Sequence, residues 1–114
     1  MKLYAVRIFV DDIAAARAFY GGPLGLGETW SFGDAAGYDL GGAELIVERS
    51  GDGALVGRFA GVSIQVDDIQ HTYAELSAEG VEFDGPPEAQ PWGGVLAHFK
   101  DPAGNTLTLL GSGS

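Results

Sequence analysis

The chain has 114 residues, enough for one domain that buries about two-thirds of its unfolded surface without staples. It contains no cysteine, which excludes disulfides, thiolate metal sites and thiol nucleophiles. Sixteen acidic against six basic residues give a formal charge of −10, which repels nucleic-acid phosphates and anionic membrane surfaces, so neither is an expected partner.

No basic, apolar signal segment opens the chain, and no apolar run approaches the roughly 20 residues of a membrane span, so a soluble cytoplasmic protein is expected. The acidity itself serves solubility or the steering of a cationic ligand.

From Leu3 to Val10, Val6, Ile8 and Val10 alternate with Ala5, Arg7 and Phe9, the period-two pattern of a strand with two unlike faces. Asp11 or Asp12 then caps a helix whose buried face carries Ile13, Ala16, Phe19 and Tyr20, and Gly21, Gly22 and Pro23 stop it. Leu24 to Phe32, Ala36 to Leu40 and Ala43 to Glu48 read as three more strands, separated by Gly33-Asp34 and Gly41-Gly42.

After a polar, glycine-rich connection at 51–57, Phe59 to Val66 repeats the opening alternation, with Gly61, Ser63 and Gln65 on the more polar face. Phe9-Val10-Asp11-Asp12-Ile13 and Gln65-Val66-Asp67-Asp68-Ile69 align at a constant offset, so the chain contains an internal repeat. The second helix buries Ile69, Tyr73 and Leu76 and leaves His71 in solvent. Strands follow at Val81 to Phe83, Val95 to Lys100 and Asn105 to Leu110. Asp101-Pro102-Ala103-Gly104 is a tight turn that folds the last two into a hairpin, because Pro102 presets φ and Gly104 accepts a positive one.

The expected fold is α+β: one domain over 1–110, built from two tandem β-α-β-β-β modules at 1–50 and 58–110. Residues 111–114 read as a flexible tail of linker composition. A module with a helix on one sheet face leaves the other face bare, so two modules shelter a sheet-lined cleft. Alternation assigns to that cleft Ala5, Arg7, Phe9, Glu44, Ile46, Glu48, Gly61, Ser63, Gln65, Thr106, Thr108 and Leu110.

The paired modules, the strand-Asp-helix-Phe-Tyr-Leu-Gly-Leu stretch from Val10 to Leu26, and Phe99-Lys-Asp-Pro-Ala-Gly-Asn105 resemble the vicinal oxygen chelate superfamily. This group contains glyoxalase I, extradiol dioxygenases, fosfomycin resistance enzymes and bleomycin resistance proteins. In its metal-dependent members a His or Gln stands on each leading strand and a Glu on one or both closing strands. The resemblance places those positions at Ala5, Gly61, Ile46 and Thr108, none a usual ligand of a divalent metal. No metal or other cofactor is therefore expected, the alternative being a noncanonical site that enlists Glu44, Glu48 and His98.

His98 faces Thr108 across the hairpin turn, at a position where some extradiol dioxygenases carry an acid/base residue. Imidazole suits proton transfer, with Glu44 or Glu48 as the second group. These acids also read as solvated side chains or as partners of Arg7. Trp30, Phe32, Tyr38 and Trp92 supply flat surface for a planar or cationic ligand, Trp92 most of all because it sits in a Pro-Trp-Gly-Gly loop. With Arg7, Phe9, Ser63, Gln65 and Thr108 they are the candidate ligand contacts.

The resemblance in character is to metal-free bleomycin resistance proteins, which implies a homodimer that sequesters a planar, apolar or cationic small molecule. The alternative is an enzyme of lyase, isomerase or dioxygenase type.

Overall fold

The computed structural model describes residues 1–112, and each half of the repeat builds a sheet with a helix on one face. In the first half, Ala5–Val10 (β1), Ile13–Gly21 (α1), Glu28–Phe32 (β2), Ala35–Leu40 (β3) and Ala43–Arg49 (β4) give a sheet of order β1-β4-β3-β2. In the second, Phe59–Gln65 (β5), Ile69–Ala78 (α2), Glu82–Phe83 (β6), Glu88–Ala89 (β7), Gly94–Lys100 (β8) and Thr106–Ser112 (β9) give the order β5-β9-β8-β6, with β7 also on β8. Each leading strand runs parallel to its closing strand, β1 to β4 and β5 to β9. The β7 pairing was not anticipated, since two residues are too few to show a period.

Both helices start where an aspartate can satisfy free amides: Asp12 accepts from Ala15 N at 3.1 Å and Asp68 from His71 N at 3.0 Å. The 3.6-residue spacing then turns Ala16 and Tyr20, and Ile69 and Leu76, inward. Beneath them lie Ile8, Val10, Ala36, Tyr38, Leu45 and Val47 of one sheet and Val95, Ala97, Phe99, Leu107 and Leu109 of the other, in one continuous core. Phe19 of α1 reaches the Phe99 ring at 6.3 Å between centroids, so the helix of the first module packs on the sheet of the second.

Several strand ends shift by one residue, and three features differ more from expectation. β2 begins at Glu28 because Gly25, at φ 63°, breaks the extended run. Leu24 and Leu26 instead pack on the core from a loop. β9 runs on through Gly111 and Ser112, which were expected in the tail, because Val95 and Gly94 offer them a pairing edge. Residues 113–114 lie outside the described residues. The connection 51–57 is drawn into the structure, with Val56 bridging to Phe9 and both Leu55 and Val56 half-buried. No helix among the described residues is long and apolar enough to cross a membrane.

Candidate functional site

Strand alternation turns Ser63, Thr108 and His98 onto the uncovered face of the second sheet, where Ser63 pairs with Thr108 and Thr108 with His98 in a single lateral row. His98 Nδ1 and Thr108 Oγ1 are 2.8 Å apart, and Thr108 is buried beneath this contact. The imidazole is thus held at one nitrogen, while its Nε2 has no hydrogen-bond partner among the described residues. Phe59 meets the imidazole edge-on, 5.7 Å between ring centroids. Beside it opens a cavity of about 360 Å³ walled by His98, Leu96, Asp84, Pro87, Glu88 and Gln90.

β5 reaches this row through an irregularity: Phe59 pairs with Thr106 and Ser63 with Thr108, so four steps along β5 match two along β9. Gly61 absorbs the excess at φ 69°, a conformation that a residue with a Cβ avoids.

On the first sheet the corresponding face carries Arg7 and Phe9 of β1, Glu44, Ile46 and Glu48 of β4, and Trp30 and Phe32 of β2. Trp30 lies on Gly37, its register partner, and its indole Nε1 donates to Glu44 Oε1. A Cβ at Gly37 would run into that indole, so the missing side chain is what lets the ring lie flat. The second sheet repeats the device: the Trp92 ring covers Gly94, which shares the uncovered side of β8 with Leu96 and His98. This pairing of tryptophan with glycine was missed in the sequence, although Trp-Gly-Gly at 92–94 carries half of it.

The other candidates separate. Glu44 is engaged by Trp30, and Arg7, expected near Glu44 or Glu48, instead stacks its guanidinium on Phe9 at 5.2 Å. Glu44 and Glu48 stand on β4 and His98 on β8, in different sheets, and no hydrogen bond joins them among the described residues. Tyr38, expected in the cleft, faces the opposite way. It is 1 % exposed, packs on Tyr20 at 5.9 Å and leaves its hydroxyl buried without a hydrogen-bond partner among the described residues. The reason is register: Tyr38 pairs with Leu45, and both lie on the helix side. Burial raises the Tyr38 pKa above the ordinary phenol value, with Glu28 adding to the shift. His71 is exposed and lies 3.3 Å from Glu75, as a solvated helix face allows.

The four positions at which the resemblance expects metal ligands are Ala5, Ile46, Gly61 and Thr108. Three offer no donor side chain, and the Thr108 hydroxyl is already bonded to His98. Among the described residues no three His, Cys, Asp or Glu side chains gather as a metal-binding group. This donor set does not fit a divalent metal.

Along the seam, where Val56 bridges to Phe9, a buried amide joins the modules. Asn105 Oδ1 accepts from Gly57 N at 2.9 Å and Arg58 N at 3.0 Å, while Nδ2 donates to the Phe9 carbonyl at 2.8 Å and to Asp101 Oδ2 at 3.1 Å. Asp101 also accepts from Ala103 N, Asn105 N and the Tyr20 hydroxyl. Around this clamp Arg7, Phe9, Arg58 and Phe59 line a cavity of about 270 Å³. Arg58 and Phe59 were not among the sequence candidates: Arg58 lies in the connection just before β5 and Phe59 is the first residue of the strand.

The family model described as "Glyoxalase/Bleomycin resistance protein/Dioxygenase superfamily" matches residues 2–109. The uncharacterized protein YraH of Bacillus subtilis (strain 168) is 29 % identical over 125 residues, covering 96 % of this chain and 97 % of its own. A glyoxalase/bleomycin resistance protein/dioxygenase superfamily member from Sphaerobacter thermophilus superposes with TM-score 0.81 at 28 % identity, covering 98 % of each chain. TnmS3, an antibiotic-binding protein from Streptomyces sp. CB03234, superposes with TM-score 0.84 at 24 % identity, over 98 % of this chain and 96 % of its own.

Proposed function

This chain belongs to the Glyoxalase/Bleomycin resistance protein/Dioxygenase superfamily, and we propose that within it the protein sequesters a planar small molecule in its sheet-lined cleft without a metal ion. The carrying observation is the exchange of chemistry on the uncovered faces. Where metal-binding relatives hold donors this chain holds Ala5, Ile46 and Gly61, and the surrounding surface is aromatic, with Trp30, Phe32, Phe59 and Trp92 all exposed. Flat rings seated on glycine backbone offer stacking surface at little conformational cost, which favours a planar, largely apolar ligand. The likeness to TnmS3, at 24 % identity, carries the fold; the binding reading rests on these side chains.

The enzyme reading retains one observation: His98 is oriented by Thr108 and presents Nε2 without a partner among the described residues, beside a cavity that also holds Asp84 and Glu88. Acid/base catalysis through Glu44 or Glu48 has no contact to support it. The discriminating experiment is quenching of tryptophan fluorescence by planar aromatic compounds, followed by chemical analysis of the recovered compound. Saturable quenching with the compound returned intact supports sequestration. Consumption by the wild type that His98→Ala lowers by about two to four orders of magnitude overturns it in favour of an enzyme.

The working unit in this reading is a homodimer. β2 is exposed along its whole length, with Phe32 86 % exposed, and an uncovered edge strand with an apolar ring is a template for pairing. Light scattering across a dilution series tests it, and a monomer mass at every concentration refutes it.

A further inference from the structure

The seam cavity carries a charge arrangement that the planar-ligand reading leaves unused. We propose that it takes the carboxylate of a small planar aromatic acid, gripped by Arg7 and Arg58, while Phe9 and Phe59 flank the ring. This inference rests on the reading of the uncovered faces as a ligand cleft and adds the chemical class of the ligand.

The chain has only six basic residues against sixteen acidic ones. Arg17 is paired with Glu28 at 2.8 Å, while Lys2, Arg49 and Lys100, like Arg7 and Arg58, have no ion-pair partner among the described residues. What sets Arg7 and Arg58 apart is that they share a cavity. Two guanidinium groups sharing a cavity repel each other, and an anion between them relieves that repulsion.

The charge of −10 does not cancel this attraction. Solvent and salt screen distant carboxylates beyond a Debye length of about 8 Å, whereas groups lining the same cavity act on a bound anion at contact. Arginine presents a planar fork that matches a carboxylate, and Arg7 is already stacked on Phe9 at 5.2 Å, which restrains its long side chain.

The walls are set in advance. Asn105 fixes the Phe9 carbonyl of β1 on one side of the seam and the Arg58 amide, just before β5, on the other, so the two arginine-bearing segments cannot drift apart without breaking a buried amide's bonds. A volume of about 270 Å³ accommodates one or two fused rings. Phe59 lines this cavity and also meets the His98 ring, which walls the neighbouring one.

The test is calorimetric titration of the full chain at pH 7 and near-physiological salt with 2-naphthoate, 2-naphthalenemethanol and 2-naphthylmethylammonium. 2-Naphthoate should bind at least roughly tenfold more tightly than the other two. Arg7→Gln and Arg58→Gln should each cost it roughly tenfold while leaving the alcohol unchanged, and Lys2→Gln, an equal change of net charge elsewhere, should leave all three unchanged. Circular dichroism establishes that each variant is folded, as these exposed positions allow.

If the alcohol or the ammonium compound binds as tightly as naphthoate, the carboxylate proposal fails and the cleft reading stands. If naphthoate is preferred but neither arginine variant weakens it, or Lys2→Gln weakens it as much, the assignment to this cavity fails. If none of the three binds, both readings fall.

Discussion

The Tyr20 hydroxyl donates to Asp101 Oδ2 at 2.8 Å, across 81 residues of sequence and inside the core. It ties the helix of the first module to the hairpin turn of the second. Asp101 is 5 % exposed and has no cationic partner among the described residues, so hydrogen bonds alone stabilise its carboxylate.

Tyr20→Phe removes one of these bonds and fills the same volume. A hydrogen bond to a charged group contributes about 1.5–3 kcal/mol, so the variant should lose that much in urea unfolding at pH 7. A loss well under 1 kcal/mol would show that the carboxylate is satisfied without Tyr20.

Alkaline stability should report the same pair. Burial, then the Asp101 charge, raises the Tyr20 pKa well above its unfolded value near 10, and burial raises that of Tyr38. Above about pH 10 the unfolded chain releases protons that the native one retains, so the contribution is intact below pH 10 and falls by about 1.4 kcal/mol per pH unit for each such group above it. Tyr20→Phe should flatten that decline between pH 10 and 11.5, as measured by denaturant titration at each pH.

Asn105→Asp replaces the Nδ2 donor by a carboxylate oxygen beside Asp101 Oδ2 and opposite the Phe9 carbonyl, now 3.1 and 2.8 Å from Nδ2. Two carboxylates in one buried site raise the pKa of one of them, so the contribution of the neutral form is present at low pH and lost as pH rises. The variant should be destabilised by about 2–4 kcal/mol at pH 7. Its deficit relative to wild type should shrink below pH 5. A deficit that does not change with pH would argue against the like-charge cause.

Gly37→Ala puts a methyl into the Trp30 indole and the Glu44 carboxylate. In a Trp92→Phe background, where Trp30 is the remaining tryptophan, emission should shift to the red as the ring leaves the sheet. The stability cost should be about 1–3 kcal/mol. Unchanged emission would mean that the indole does not rest on Gly37 in solution.

Trp92→Ala should weaken a planar ligand by roughly tenfold, since a stacking contact contributes about 0.5–1.5 kcal/mol beyond its buried area. The chain should unfold at nearly the same temperature, because Trp92 is 66 % exposed. Chelator should likewise leave the unfolding temperature of the wild type in place, given Ala5, Ile46, Gly61 and Thr108 where the resemblance expects ligands and no metal-binding group of His, Cys, Asp or Glu among the described residues. A large drop on chelation, with stoichiometric metal in the untreated protein, would overturn the metal-free reading.

Much of the fold was legible in the chain itself. The paired alternation ending at Val10 and Val66, the capping aspartates and the Asp101 to Gly104 turn act through near neighbours, and local chemistry suffices to set a strand, a helix start or a reversal. The facing of His98 and Thr108 followed from the same counting across one turn. What required the tertiary structure was every relation set by register between distant strands or by the seam. A bulge at Gly61 and the pairing of Tyr38 with Leu45 depend on which partner strand lies alongside, and that choice leaves no mark in a local period. The sharing of one cavity by Arg7 and Arg58 and the clamp of Asn105 on Phe9 arise because one core holds both modules. Chain packing alone brings together residues some fifty to a hundred positions apart.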